Sequence, residues 1–169
     1  MSNDFQERLR ELGANHLGHT DRSLMDHLVG TGEILRQWDC DEDVCIAGVF
    51  HSIYGTNAFV RSCMDKDDRD RLRDMIGTRA ERLVFLFCAS NRPAAFLEAV
   101  HERQLVNRYT GEVMKAPSTV VRQLLEIECA NLIEQRTGHG FMAELLSFPK
   151  PVLKRRIVND VRKFIDHRA

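Results

Sequence analysis

Apolar residues recur every three or four positions along almost the whole chain, which is the spacing of one face of an α-helix. Only four prolines interrupt this period. The pattern therefore predicts an all-α fold. We place the helices near residues 3–12, 20–38, 42–53, 67–76, 78–90, 93–104, 118–136, 139–147 and 150–167.

One stretch, residues 105–117, departs from the helical period. There Thr110 and Gly111 lie between two short runs in which apolar and polar residues alternate, a pattern typical of a β-hairpin. The charged residues 65–74 are expected to form a solvated short helix or loop. No repeat, low-complexity segment or linker divides the sequence, so we predict one domain over residues 1–169.

Composition narrows the class of protein. The chain has 169 residues, of which 43% are apolar, enough for one hydrophobic core. A net charge of −1 gives no electrostatic basis for binding nucleic acid. Residues 1–13 are charged and lack the apolar segment of a signal peptide, and no apolar run approaches the ~20 residues that cross a membrane. We therefore expect a cytoplasmic protein that binds neither nucleic acid nor a membrane. Its five cysteines form no C-x-x-C pair and are expected to be reduced and buried.

The helix predicted at 20–38 carries a histidine on its apolar face. Leu24, Leu28 and Leu35 belong to one stripe, and His27 follows Leu24 by three positions, so the His27 ring is expected to point inward. The same helix contains two glycines, Gly30 and Gly32, each of which costs about 1 kcal/mol relative to alanine. Close approach of a neighbouring helix or a ligand would explain them.

A second inward histidine lies near the end of the next helix. His51 shares a face with Val44, Ala47 and Gly48, and the chain breaks shortly afterwards at Tyr54-Gly55. Considered alone, each inward histidine is best explained as a core residue that donates to a backbone carbonyl.

The third candidate is Glu128, which occupies an apolar position in the helix predicted at 118–136. A buried carboxylate requires a cation or a proton. Either His27, His51 and Glu128 hold a divalent metal ion together, or Glu128 pairs with an inward arginine such as Arg82 or Arg92. Glu126 and Glu134 fall on other faces of the helix and are predicted to be solvated.

The order of these residues resembles the HD-domain superfamily, whose pattern is a His, then His-Asp, then a distant Asp. The nearer resemblance is to a family of small HD-like proteins with the motifs D-H-L-x-G-T, A-G-L-F-H-S-x-Y-G-T and L-L-E-I-E-x-A-N-x-x-E-Q, which match residues 26–31, 47–56 and 124–135. A more distant resemblance is to the ppGpp-hydrolase domain of stringent-response enzymes. The likeness implies an HD-like core at roughly 17–135, on which the helices at 139–167 pack.

The resemblance also implies a set of site residues. Glu128 stands where the superfamily has its distant aspartate, and Ser52 stands where it has the aspartate that binds metal. Serine is a poor ligand and cannot bridge two ions, so the expected metal site holds one ion, Mn, Fe or Zn, or none. The candidate metal ligands are His27, His51 and Glu128. The candidate catalytic residues are His19, Tyr54 and Asn131. The candidate substrate-binding residues are Arg22, Ser52, Arg79, Arg82 and Arg92.

Three functions are compatible with these residues. The first is a metal-dependent hydrolase that acts on a small phosphorylated metabolite or nucleotide. The second is a mononuclear non-haem iron oxygenase, because two histidines and one carboxylate form the facial triad of such enzymes. The third is a metal-free protein that binds a small molecule, since Ser52 would then mark a lost metal site.

Overall fold

The computed structural model describes residues 3–16, 18, 19 and 22–167, with side chains for residues 4–16 and 23–167. Helices dominate this part of the chain, which confirms the predicted all-α fold. The helices are α1 (Asn3–Glu11), α2 (Leu24–Gln37), α3 (Glu42–Phe50), α4 (Arg69–Ile76), α5 (Thr78–Cys88), α6 (Ala94–Glu102), α7 (Ser118–Glu134), α8 (His139–Leu146) and α9 (Arg155–Asp166), with a single 3-10 turn at Ala14–His16.

Two small antiparallel ribbons accompany the helices. Strands β3 (Gln104–Val106) and β4 (Val113–Lys115) pair in register, with Leu105 opposite Met114. This confirms the hairpin predicted for residues 105–117. Strands β1 (Gly18–His19) and β2 (Arg22–Ser23) form a shorter ribbon, where the hydrophobic period had predicted the start of a helix.

The second helix begins later than its period suggests because of a cap. The Ser23 hydroxyl accepts a hydrogen bond from the Asp26 backbone N–H at 3.1 Å, and the Asp26 carboxylate accepts from the Ser23 N–H. This reciprocal capping box satisfies N–H groups that would otherwise lack partners at the helix start. The cap therefore places the first turn at Leu24 rather than near residue 20.

Helices α2 and α3 approach each other closely through glycines. A Cβ at Gly32 would lie 2.4 Å from Cγ2 of Val49, and a Cβ at Gly48 would lie 2.2 Å from Cδ1 of Leu35. Both distances are far below a van der Waals contact, so neither position accepts alanine without a shift of the helices. Close helix packing therefore explains Gly32, and this is one of the two explanations that the sequence left open.

Helix α7 crosses this pair and is enclosed by several elements. It packs against α2, α3, α5, α6 and α9, and an unbroken run of its residues, 124–132, is buried. The amphipathic α9 buries Ile157 and Val161, and the indole of Trp38 donates to the Asp160 carboxylate at 3.2 Å.

Among the helices of the described residues, none combines the length and the apolar character that spanning a bilayer requires.

We expect Gly32→Ala to lower the free energy of unfolding by about 1–3 kcal/mol, because the added methyl group overpacks the α2–α3 contact. The higher helix propensity of alanine offsets only part of this cost. Gly140→Ala is the matched control, since nothing lies within 4 Å of a Cβ at that helical position. It is expected to stabilise the protein by up to about 1 kcal/mol. Urea unfolding measures both changes, and equal effects at the two positions would contradict the packing argument.

Candidate functional site

The α2–α3 contact brings the two predicted histidines face to face. Nε2 of His27 lies 3.2 Å from Nε2 of His51. The rings meet edge to face, with centroids 5.0 Å apart and planes at 84°. Both residues are at most 1% exposed, so the pair belongs to the interior.

The opposite nitrogen of each ring is held by an acceptor. Nδ1 of His51 donates to the carbonyl of Gly48 at 2.7 Å, and Nδ1 of His27 donates to the carboxylate of Glu134. A neutral imidazole carries one proton, and here the acceptors draw it to Nδ1. The two Nε2 atoms, which this tautomer leaves without a proton, therefore face each other.

Glu134 belongs to the site, although its position in the sequence did not predict this. It was predicted to be solvated, yet its side chain is only 6% exposed and lies against His27. Gly30 makes room for it, because a Cβ there would lie 3.0 Å from Cγ of Glu134. The prediction failed because it assumed one buried face on α7, whereas α7 is enclosed from several sides. The sequence feature that could have indicated a buried neighbour is the pair of glycines, Gly30 and Gly32, shortly after His27.

The predicted residue Asn131 reaches this site through a neighbour. Its Oδ1 accepts a hydrogen bond from Nε2 of Gln135 at 2.8 Å, and that amide nitrogen is also 3.4 Å from Nε2 of His27. Gln135 was not predicted from the sequence, although it ends the same motif of α7. Two amide side chains therefore line the α7 side of the histidine pair.

Glu128 pairs with an arginine. Nη1 of Arg92 donates to Oε1 of Glu128 at 2.6 Å, and the Glu128 side chain is fully buried. Burial raises the pKa of Glu128 above its ordinary value, and the Arg92 guanidinium opposes that rise. This is the ion-pair alternative, not the metal-ligand one. In the described part of the chain, no three His, Cys, Asp or Glu residues lie close enough together to hold a metal ion, so the predicted set of His27, His51 and Glu128 is not assembled.

The ion pair and the histidines share one aromatic neighbour, Phe87. The His51 ring meets Phe87 with centroids 5.2 Å apart, and the Arg92 guanidinium carbon lies 4.9 Å from the centre of the same ring. The Asn131 side chain lowers the pKa of Glu128 through a hydrogen bond, whereas the buried Nε of Arg92 has no hydrogen-bond partner among the described residues. Buried polar groups of this kind normally bind ordered water or a ligand.

The first half of the chain, which carries both histidines, matches a known family. The family model described as a domain of unknown function, DUF6817, matches residues 8–92, which is half of the chain. The chain belongs to the DUF6817 family. The DUF6817 match includes His27, His51 and Arg92 but ends before the residues that α7 supplies. No curated protein and no solved structure matches the chain.

Tyr54 of this DUF6817 chain lies in a different cluster from the one predicted. Its hydroxyl donates to Glu81 at 3.2 Å, and burial together with the Glu81 charge raises the pKa of Tyr54. Glu81 also accepts two hydrogen bonds from Arg69, at 2.6 and 2.8 Å, and one from Arg73. The charged segment 65–74 is therefore only partly solvated, because two of its arginines neutralise a buried carboxylate. Tyr54 serves that cluster, and the contacts described for it do not include the histidines.

The remaining predicted residues of the DUF6817 chain divide by position. Ser52 is buried directly after His51, and its carbonyl accepts from Gly55. Arg82 is exposed on α5, and Arg79 is 84% exposed and lies near Asp43, at the opposite end of α3 from His51. Neither arginine reaches the histidine site, because both occupy the outer face of α5. The side chains of His19 and Arg22 lie outside the described residues.

The Arg92–Glu128 pair gives a testable consequence for stability. We expect Arg92→Met to lower the free energy of unfolding by about 3–5 kcal/mol near neutral pH, because it leaves a fully buried carboxylate without its cation. Loss of the guanidinium raises the pKa of Glu128 further. A carboxyl with a raised pKa in the folded state favours folding below its unfolded pKa and loses that contribution as pH rises. The deficit should therefore be larger at about pH 8 than at about pH 5, as measured by urea unfolding.

The double variant Arg92→Met/Glu128→Met is the control, since it removes both charges and retains apolar volume. It should recover most of the stability that Arg92→Met loses. A deficit of Arg92→Met that is independent of pH, or that persists in the double variant, would contradict the assignment of Glu128 as a buried charge paired with Arg92.

Proposed function

We propose that this chain is an HD-type, metal-dependent hydrolase of a small phosphorylated metabolite or nucleotide, in which His27 and His51 bind one divalent ion, Mn, Fe or Zn. The observation that carries the proposal is the 3.2 Å approach of two Nε2 atoms whose rings both donate from Nδ1 to an acceptor. The motifs around both histidines, which resemble those of HD domains, add support. Glu128 is not a ligand in this proposal, because Arg92 neutralises it.

The residues present fit a metal ion at this position. Two imidazole nitrogens that bind one ion at about 2.0–2.1 Å are separated by roughly 3.0–3.4 Å, and the observed separation is 3.2 Å. Imidazole ligands of metals also typically donate their other N–H to a carboxylate or a backbone carbonyl. Glu134 and the Gly48 carbonyl provide one of each. Two histidine ligands are one fewer than the three protein ligands of catalytic zinc sites, and they leave the remaining coordination positions for water and substrate.

The neighbouring side chains suit a phosphate-bearing substrate. A divalent ion would lower the pKa of a bound water and polarise a phosphoryl oxygen. Around it, Glu134 fixes the His27 ring with Nε2 facing His51, and the Gln135 amide lies 3.4 Å from that nitrogen. The buried Nε of Arg92 is a donor without a partner among the described residues. It is suited to bind a substrate oxygen.

The metal-free alternative also has a specific observation behind it. A proton shared between the two Nε2 atoms satisfies the same geometry, and Arg92 already supplies the cation that Glu128 needs. In that case the buried polar atoms would bind a small molecule without catalysis. The oxygenase alternative is less well supported, because its facial triad requires a carboxylate ligand and Glu128 is paired with Arg92.

Metal content distinguishes these alternatives. We expect protein reconstituted with Mn, Fe or Zn to retain a stoichiometric ion after desalting and His51→Ala to lose it, because one imidazole cannot hold the ion alone. His167→Ala is the control, since His167 is exposed and donates to a backbone carbonyl of α9. Elemental analysis by mass spectrometry gives the readout. A wild-type chain that binds none of these ions after reconstitution would contradict both metal-dependent functions, the hydrolase and the oxygenase.

The carboxylate behind His27 supplies a second test. We expect Glu134→Gln to weaken metal binding about ten- to a hundredfold, because the amide orients the ring and supports its basicity less well than the carboxylate does. Glu144→Gln, at an exposed position of α8, should leave the affinity unchanged. Competition with a fluorescent chelator measures both. Equal metal affinities of Glu134→Gln and Glu144→Gln would show that Glu134 does not support metal binding.

Turnover tests the hydrolase itself. We expect the metal-loaded chain to release phosphate from at least one compound in a panel of nucleotides and sugar phosphates, and His51→Ala to lose that activity by at least about a hundredfold. His167→Ala again serves as the control. A chain that binds iron and consumes O2 with a small organic substrate, but releases no phosphate, would replace the hydrolase with the oxygenase.

A further inference from the structure

A cavity of about 520 Å³ lies at the start of α7, away from the histidines. Residues of three chain segments line it, namely the end of α6, the first turns of α7 and the connection between α8 and α9. Its volume falls within the range of pockets that hold small molecules, about 300–1,000 Å³. The fold therefore provides a concave site that the histidine chemistry does not use.

The charge lining this cavity has one sign. Arg103, Arg122 and Lys150 come from the three different segments, and none of the described lining residues is acidic. Arg122 donates from Nη1 to the buried Glu126 at 3.0 Å, which is one contact of a guanidinium that has five donor hydrogens. Because the cations come from separate segments, the fold concentrates positive charge here, whereas the whole chain has a net charge of −1.

The first turn of α7 adds to this potential. Ser118 and Thr119 line the cavity, and the first turn contains no acidic residue. The backbone N–H groups of a first turn lack partners within the helix, and the helix dipole is positive at this end. These groups reinforce the cationic side chains and do not constitute the site without them.

The rest of the lining is largely apolar. Its apolar members are Val100, Phe148, Pro149, Pro151 and Val152. The Phe148 ring is held against His101, with ring centroids 5.4 Å apart. A ligand for this cavity would therefore combine an anionic group with an aromatic or aliphatic group.

We propose that this cavity binds a small organic phosphomonoester through Arg103, Arg122 and Lys150, with its organic group against Phe148 and Val152. A phosphomonoester fits this lining better than a monoanion does, because its charge of about −1.5 to −2 near neutral pH can be neutralised by Arg103 and Lys150 together. Arg122 also neutralises Glu126, and its remaining N–H groups can donate to the phosphate. The site is independent of the proposed hydrolase function. Glu134 lies twelve positions after Arg122 on the same helix, about 18 Å along its axis.

Phenyl phosphate is a suitable probe, and isothermal titration calorimetry measures its binding to the full chain. We expect the double variant Arg103→Gln/Lys150→Gln to bind at least tenfold more weakly than the wild type, because two of three cations are removed. Both residues are exposed, so the variant should fold normally. Arg122 is left in place because it neutralises Glu126. The control is Arg79→Gln/Lys163→Gln, which removes the same charge from exposed positions elsewhere and should bind like the wild type.

Two further titrations show where phenyl phosphate binds and whether its phosphate group is recognised. Phenol should bind at least tenfold more weakly than phenyl phosphate, and removal of metal ions with a chelator should leave the binding of phenyl phosphate unchanged. The proposal would be overturned by no binding at millimolar phenyl phosphate, by equal binding of Arg103→Gln/Lys150→Gln and the wild type, or by equal binding of phenol. A loss of binding on metal removal alone would place the ligand at the histidines and overturn the cavity assignment while leaving the hydrolase proposal intact.

Discussion

The approach of His27 to His51 is the constraint around which the interior is organised. Each ring donates from Nδ1 to a fixed acceptor, so each presents an Nε2 lone pair to the other at 3.2 Å. Two lone pairs at this distance repel unless a cation lies between them. The backbone carbonyl of Gly48 and the carboxylate of Glu134 therefore do more than satisfy two N–H groups. They fix the tautomer of both rings, and that tautomer is the one that the proposed metal site requires.

Small residues make that approach possible. Gly32 and Gly48 let α2 and α3 pack at a distance that side chains would prevent, and Gly30 leaves room for Glu134 to reach His27. Glycine destabilises a helix interior by about 1 kcal/mol relative to alanine. At Gly30 that cost is offset by a contact with the site, whereas at Gly32 and Gly48 it is offset by the closeness of the two helices.

Helical phase was sufficient to predict which histidines point inward, because the apolar stripes of α2 and α3 are clear in the sequence. It was not sufficient to predict the partners of buried charges. Phase places Glu128 on an inward face, but only the fold shows that Arg92, 36 positions earlier, reaches it. The same limit applies to Glu134, which a one-sided view of α7 assigns to solvent. Tyr54 was misplaced for a related reason, since nothing in its local sequence indicates that Glu81 is buried beside it.

The buried carboxylates differ in the partner that each one contacts. Glu81, Glu126, Glu128 and Glu134 each have a side chain at most 6% exposed. The first three contact arginines, whose positive charge is permanent. Glu134 instead contacts the His27 ring, which it holds with Nε2 facing His51. A buried carboxylate is costly unless its surroundings compensate the charge, so the arginine pairs stabilise the core, whereas the Glu134 contact also orients a ring. The proposed metal ion would bind on the far side of that ring, between the two Nε2 atoms.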